Sequence, residues 1–538
     1  MRIWRRGAVA AVIILAALAA RAEDDPWLRY EAEGARIGAL KINVANVFDL
    51  SKPDEDYWLG RAADFIHIRT RERVIRELLL FKMGDKVDAP TIHESERLLR
   101  ALPWVQDATI TPMAAGPGSV QAVVWVHDGW SLKGSLKFSS AGGQNIWRVR
   151  LHEVNLLGYG KELLLSHEKD TERTTDEFAY GDPLLFGSRW TLSVGYQRLS
   201  DGRGRRLQVE RPFYELSARW SAGVEAYDTR NVETLYTDDH KIYAFHALQQ
   251  DVTLFGRWLY HFNQRTAWRV GAELRSMQAS YGPLTVLRPG ELPAPDLSPR
   301  RFRGILGYWG VSQDRYQTFE DIQSVARTED INLGWDAEIH AGWMGKALGG
   351  AADAWYGQFT ATKGTRLRGD TLLLFQAQGH GRREREGGRD VLGMAEWSLY
   401  NQSLPRQTLA ADLQLTAGYR LDPEDTLYIG GFDGLRGYPN HFRTGDRRWL
   451  FSAEDRIITP WTLWGLAQVG FVAYADAGAM RLPGGRFTRT YADVGGGLRF
   501  GNLKSTFGRV LSLTIAVPLV KEPGMDKFQI VVGNVIRF

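Results

Sequence analysis

From Ser131 to the last residue the chain switches character at every step. "SLKGSLKF" sets Leu132, Leu136 and Phe138 on one face and Lys133, Ser135 and Lys137 on the other; "IWRVRLHEV" sets Trp147, Val149 and Leu151 against Arg148, Arg150 and His152. A period of two is the period of a strand. Arginine and lysine recur opposite the apolar face in segment after segment. A sandwich that hides its apolar face in a core has no need of that, whereas a barrel with hydrocarbon outside and water inside does. Strands of about 10 residues, each with its turn or loop, allow roughly 16 of them in residues 131–538. The long interruption "GPLTVLRPGELPAPDLSPRR" reads as an extracellular loop, because the turns at the other end of such barrels are short.

The N-terminus supplies the compartment. "MRIWRRGAVAAVIILAALAARAEDD" carries Arg2, Arg5 and Arg6, an apolar run from Ala8 to Ala20, and Ala20-Arg21-Ala22 before acidic residues, the layout of a secretory signal peptide over residues 1–22. That run is short for a spanning helix, and no later segment offers the roughly 18 apolar residues such a helix needs. The chain has no cysteine, so neither a disulfide scaffold nor a thiolate metal site is available. A net charge of +4 with both signs mixed throughout gives no nucleic-acid footprint. Glycine (57) and tryptophan (19) are abundant, as a β-rich exported protein or an outer-membrane barrel would have them.

Residues 23–130 have a different period. "ARIGALKINVANVF" alternates as a strand; "TRERVIRELLLFKMGDKV" begins at Thr70 with the look of an N-cap and places Val74, Ile75, Leu78 and Leu79 on a helical stripe. A second helix, "DAPTIHESERLLRAL", has Pro90 near its start and Ile92, Leu98, Leu99 and Leu102 along one side. "WVQDATITPM" and "SVQAVVWVHDGW" then read as strands joined by the turn "AAGPG". The expected order is strand, helix, helix, strand, strand.

This layout, with "LRGY" late in the sequence, resembles the BamA/TamA superfamily of outer-membrane assembly and translocation proteins. The resemblance implies a mainly β chain: one α+β periplasmic POTRA domain over residues 23–130, then a 16-stranded antiparallel transmembrane barrel over 131–538. The family's (V/L)RG(F/Y) tetrad, in a loop that folds back into the lumen, is matched by Leu435, Arg436, Gly437 and Tyr438. Five strands are expected after it. The family's acid in the first of them resembles Glu454, and its F-x-D-x-G motif in the second is similar to "YADAG", with Asp476 as the acid and Tyr474 in place of phenylalanine. Phe538, closing the apolar face of "FQIVVGNVIRF", is the expected C-terminal assembly signal. A single POTRA departs from relatives with two, three or more.

Alternation also bears on these residues. With Phe451, Ala453 and Ile457 facing out, Glu454 points inward; with Phe471, Ala473 and Ala475 facing out, so does Asp476. Two inward carboxylates on neighbouring strands make a fork for a guanidinium. Glycines 430, 431, 434 and 437 let the loop bend tightly. Arg436 is therefore expected to dock on Glu454 and Asp476, the alternative being an arginine solvated in its loop. Luminal water is expected to hold such a pair to about 1 kcal/mol or less. By the same alternation Asp455 faces lipid, unless it lies at an interface or a bulge.

No enzyme signature is present. There is no G-x-S-x-G elbow and no Walker loop, and "HESER" is not H-E-x-x-H. No catalytic residue, metal or cofactor is expected; a hydrolase assembled from distant strands is the remaining enzymatic alternative. The charge-rich "RGRRLQVERP" and "GHGRREREGGRD" read as lipopolysaccharide contacts or an electrostatic rim, or else as solvated loops. The resemblance implies a bacterial outer-membrane protein with its POTRA in the periplasm. It would insert or translocate proteins, or lipids, and meet outer-membrane lipid, lipopolysaccharide and a polypeptide client or periplasmic partner, with no nucleic acid or nucleotide. The alternative is a passive pore or structural surface antigen.

Overall fold

The computed structural model describes residues 25–47, 61, 67–289, 293–323, 325, 328–463, 467–482, 485–502 and 510–533. The signal-peptide reading of residues 1–22 and the assembly-signal reading of Phe538 lie outside them. The chain divides into two compact units: residues 1–132 with 153–161, and residues 133–152 with 162–538.

The first unit is an α+β module. After a short helix α1 (Pro26–Ala32) come β1 (Arg36–Ala45), α2 (Glu72–Leu78), α3 (Ala89–Arg100), β2 (Val105–Ala114) and β3 (Ser119–Asp128). The sheet runs β1-β3-β2, with β3 parallel to β1 and antiparallel to β2. Helix α3 starts where Asp88 accepts from the Thr91 N–H and proline occupies the first turn, satisfying a donor the helix leaves free. Val74, Ile75, Ile92 and Leu99 are buried, as the helical stripes require. Thr70 is not the cap of α2: the helix begins at Glu72, and the Thr70 N–H and hydroxyl both donate to buried Asp128 at 2.7 Å. The segment 153–161 completes the unit, since Asn155 donates to the Thr70 hydroxyl at 2.8 Å and Arg71 N–H donates to the Gly158 carbonyl.

The second unit is a closed antiparallel barrel. Twenty strands make its wall among the described residues, from Leu132–Ala141 to Gln529–Gly533, with Thr285–Val286 a two-residue side pairing. The expectation of 16 fails because it spread the strands evenly. The first six, of eight to ten residues each, fit into residues 132–211 with short turns, while the eighth, His240–Asn263, takes 24 residues. The last strand reaches the first through Val532 opposite Ser140. Gly533, at φ +142, is needed there because a side chain would run into Ser139.

Along the wall, alternation separates two surfaces. Leu413, Leu415, Phe451, Ile457, Phe471, Leu513 and Ile515 are exposed on the outside, a belt that suits hydrocarbon. Inside lie ion pairs such as Arg257 with Glu273 and the two-pronged pair of Arg275 with Asp251. Asp455 is on the outer face in regular pairing, opposite Leu409 and Ala473 and near the start of its neighbour at Gln407; the bulge in its strand comes later, between Ile458 and Thr462.

Two sequence expectations about loops change. "RGRRLQVERP" and "GHGRREREGGRD" lie mostly in strands, and Arg382 is buried against Asp422, Asp390 and Glu384 rather than solvated. Nor are all connections short at the end where the barrel begins. Since strands alternate in direction, the loop 314–334, after the tenth strand, belongs to the end at which Leu132 enters; the loop 420–446, after the fifteenth, belongs to the far end.

Candidate functional site in the lumen

The loop 420–446 folds into the barrel. Gly430 and Gly434 have φ of +138° and +137°, and at each a side chain would collide, with the backbone of Pro439 and with Leu450 respectively. Only glycine adopts that backbone without strain. The bend buries Leu435 and Tyr438 completely, in a cluster with Leu427, Ile429, Phe442, Leu450, Met480 and Tyr491. The Tyr438 hydroxyl lies 2.9 Å from the carbonyl oxygens of both Ala492 and Val520 and accepts from the Ala492 N–H. Burial pushes it up to about 12, so it keeps its proton to donate.

Between these two apolar anchors Arg436 reaches the wall. Its Nε and Nη2 donate to the two oxygens of Asp476, each at 2.7 Å, and its Nη1 donates to Glu454 at 2.7 Å. The acids sit on the sixteenth strand, Arg447–Leu463, and the seventeenth, Ala467–Arg481. The guanidinium also lies 3.4 Å from the ring centroid of Tyr474 and donates to Ser452, whose hydroxyl in turn donates to Asp476 at 2.7 Å. A planar cation with five donors thus has carboxylates on its edges and an aromatic face beneath it.

Three members of this site carried no signal in the sequence. Ser452 is one residue in an ordinary alternating strand. Arg456 donates to the second oxygen of Glu454 at 2.8 Å. Asp493, fully buried, is directly opposite Asp476 in the strand pairing and lies under Gly437, where an added Cβ would come within 2.7 Å of its own. Register brings Ser452 and Asp493 to Asp476, and register cannot be read one strand at a time; Arg456 is the next inward residue after Glu454 on the same strand.

The site is dry. The side chains of Arg436, Glu454 and Asp476 are 7%, 8% and 1% exposed, so the expected screening by luminal water does not operate. Leu435 and Tyr438, packed on either side of the arginine, exclude it. Removing one partner from such a buried pair costs about 3–5 kcal/mol. The loop also lies against the first hairpin, where a side chain at Gly142 would run into the backbone of Pro439 and Asn440. Five strands follow it, ending in the strand that meets the first.

One edge of the module's sheet is covered by side chains. Strand β2 is an edge, but the Ile110 carbonyl accepts from the Trp27 indole at 2.9 Å, the Ile110 N–H donates to Glu96 and the Ala108 carbonyl accepts from Arg100. A strand added at β2 has to displace those groups.

A closed barrel with an inward loop pinned by one buried arginine is the class that fold and site define together. No model of a known family matches the sequence, and no curated protein matches it. Among solved structures the chain is similar to CdiB from Acinetobacter baumannii, at 14% identity over 93% of this chain and 74% of that one, with a TM-score of 0.44. It is similar to BamA from Haemophilus ducreyi lacking POTRA domains 1–3, at 13% identity over 92% and 84%, with a TM-score of 0.43. CdiB from Escherichia coli gives 13% identity over 92% and 76%, with a TM-score of 0.45.

Proposed function

We propose that the protein is an outer-membrane barrel of the BamA/TamA kind, with the N-terminal module as its single POTRA domain in the periplasm. In this reading it inserts or translocates polypeptides, or lipids, at the outer membrane. The observation that carries it is the docking of Arg436, within the Leu435–Tyr438 tetrad, on Glu454 and Asp476 inside the lumen. The apolar outer belt supports a membrane setting, with lipid and lipopolysaccharide around the wall. The protein works by binding and conformational change rather than by catalysis, and it needs no cofactor or nucleotide. A client strand would compete with Trp27, Glu96 and Arg100 for the β2 edge.

The competing reading is a passive pore or structural surface antigen. Depletion of the protein followed by proteomics of isolated outer membranes separates the two. Loss of a defined set of outer-membrane or secreted proteins is the expected result. An unchanged proteome with altered small-solute permeability would sink the assembly role.

A further inference from the structure

A second loop enters the same lumen from the other end. In 314–334 the strands Tyr316–Glu320 and Thr328–Asn332 pair as a hairpin of their own. At its turn three consecutive carbonyls are taken by donors of the barrel: Glu320 by the Gln402 amide at 2.7 Å, Asp321 by the Thr408 hydroxyl at 3.0 Å and Ile322 by Arg456 at 3.0 Å. Asp321 adopts φ +58° to present them. The N–H groups of Ile322 and Gln323 are satisfied within the hairpin by Glu329, at 2.9 and 3.0 Å. Ile322, 2% exposed, packs with Leu333 against Leu372, Tyr400 and Ala410. Val325 lies against Gly501, where a Cβ would come within 2.5 Å of its own.

The two loops meet at an ion pair on one strand: the arginine loop at Glu454, the hairpin at Arg456. Glu454 accepts from Arg436 through Oε1 and from Arg456 through Oε2, and Arg456 passes its Nη1 to the Ile322 carbonyl. Glu454 and Arg456 are inward neighbours on the same strand, two residues apart, so no flexible element separates the two contacts. Losing Arg436 removes one of the two guanidinium hydrogen bonds to buried Glu454 and frees it and Arg456 to rearrange together, because a buried charge is held in place by all the groups that compensate it.

We propose that the Glu454–Arg456 pair couples two luminal loops, the arginine loop from the far end and the hairpin 314–334 from the entry end, so that release of one loosens the other. The coupling goes beyond the assembly role proposed above and needs no client to operate. A translocating barrel built this way opens to both sides in concert rather than one loop at a time.

The chain has no cysteine, so a single introduced thiol is unique. In the full-length protein in detergent, Ile322→Cys is labelled with a water-soluble maleimide, and Gln317→Cys, at an exposed position on the same hairpin, serves as reference. Adding Arg436→Ala or Glu454→Gln is expected to raise the labelling rate at 322 by about five-fold or more, the low end of typical couplings between sites. The rate at 317 is expected to stay the same. Should Arg436→Ala abolish the heat-modifiable barrel, Arg436→Lys, which keeps the charge but loses the fork, is read in its place. The proposal is overturned if the Arg436 substitution makes residues 420–446 protease-sensitive while labelling at 322 does not change. It is equally overturned if Ile322→Cys already labels as fast as Gln317→Cys in the otherwise unaltered chain. Neither result depends on client proteins, so this coupling and the assembly role stand or fall separately.

Discussion

The loops 420–446 and 314–334 enter one lumen from opposite ends and are held there by different chemistry. The first is held by a side chain: a guanidinium between two carboxylates, framed by buried Leu435 and Tyr438. The second is held largely by its backbone, through three successive carbonyls and the apolar contacts of Ile322 and Val325. A charged anchor is strong and selective in direction, but it fails abruptly when one member is lost. A set of hydrogen bonds to carbonyls, only the one from Arg456 charged, together with methyl contacts, is weakened in smaller steps, each about 1 kcal/mol for a neutral hydrogen bond. The far-end loop is thus built to be released by a single event, and the entry-end hairpin to yield gradually.

Three substitutions test that contrast. Arg436→Ala, the largest, is expected to lower the opening free energy of 420–446 by about 3–5 kcal/mol, since Glu454 and Asp476 lose a buried partner. The barrel should remain heat-modifiable while hydrogen exchange and protease cutting rise sharply in that loop. If exchange there matches the unaltered protein, the loop is held by its apolar anchors alone and the contrast with the hairpin disappears. Ile322→Ala removes a buried side chain and is expected to cost about 2–5 kcal/mol, read as faster exchange in 314–334. A loss near the top of that range would make the hairpin as abrupt as the arginine loop. Tyr438→Phe, the smallest, keeps the ring and removes one hydroxyl, for about 0.5–1.5 kcal/mol. The exchange rates of the Ala492 N–H and of 420–446 would report it, and a larger effect would make Tyr438 a second main anchor.

The arginine loop could be found in the sequence because its parts are unusual ones. Four glycines within eight residues, one arginine among apolar neighbours and two acids on alternating strands stand out from a barrel background. The hairpin 314–334 gave no such sign: backbone carbonyls look alike in every sequence, Thr408 and Arg456 are ordinary inward strand residues, and Gln402 is an ordinary turn residue. Asp493 was equally silent, because its importance comes from lying opposite Asp476 across a pairing that no local pattern specifies. Strand number was misjudged for a related reason. Turn length, which ranges from two residues at 142–143 to the whole of 420–446, decides how many strands a given length yields.

Alternation by itself determined which side chains face in and which face out, Glu454 and Asp476 among the former, because in a strand that choice depends only on the residue's own position. Glycine and arginine content determined that one loop could turn back and carry a charge with it. The tertiary structure alone decided that the wall closes with twenty strands among the described residues, that the arginine's site is dry, and that a second loop meets the first through the Glu454–Arg456 pair. Those outcomes depend on register and on contacts between residues more than a hundred positions apart, such as Ile322 and Arg456, where the interaction exists only once the barrel has closed.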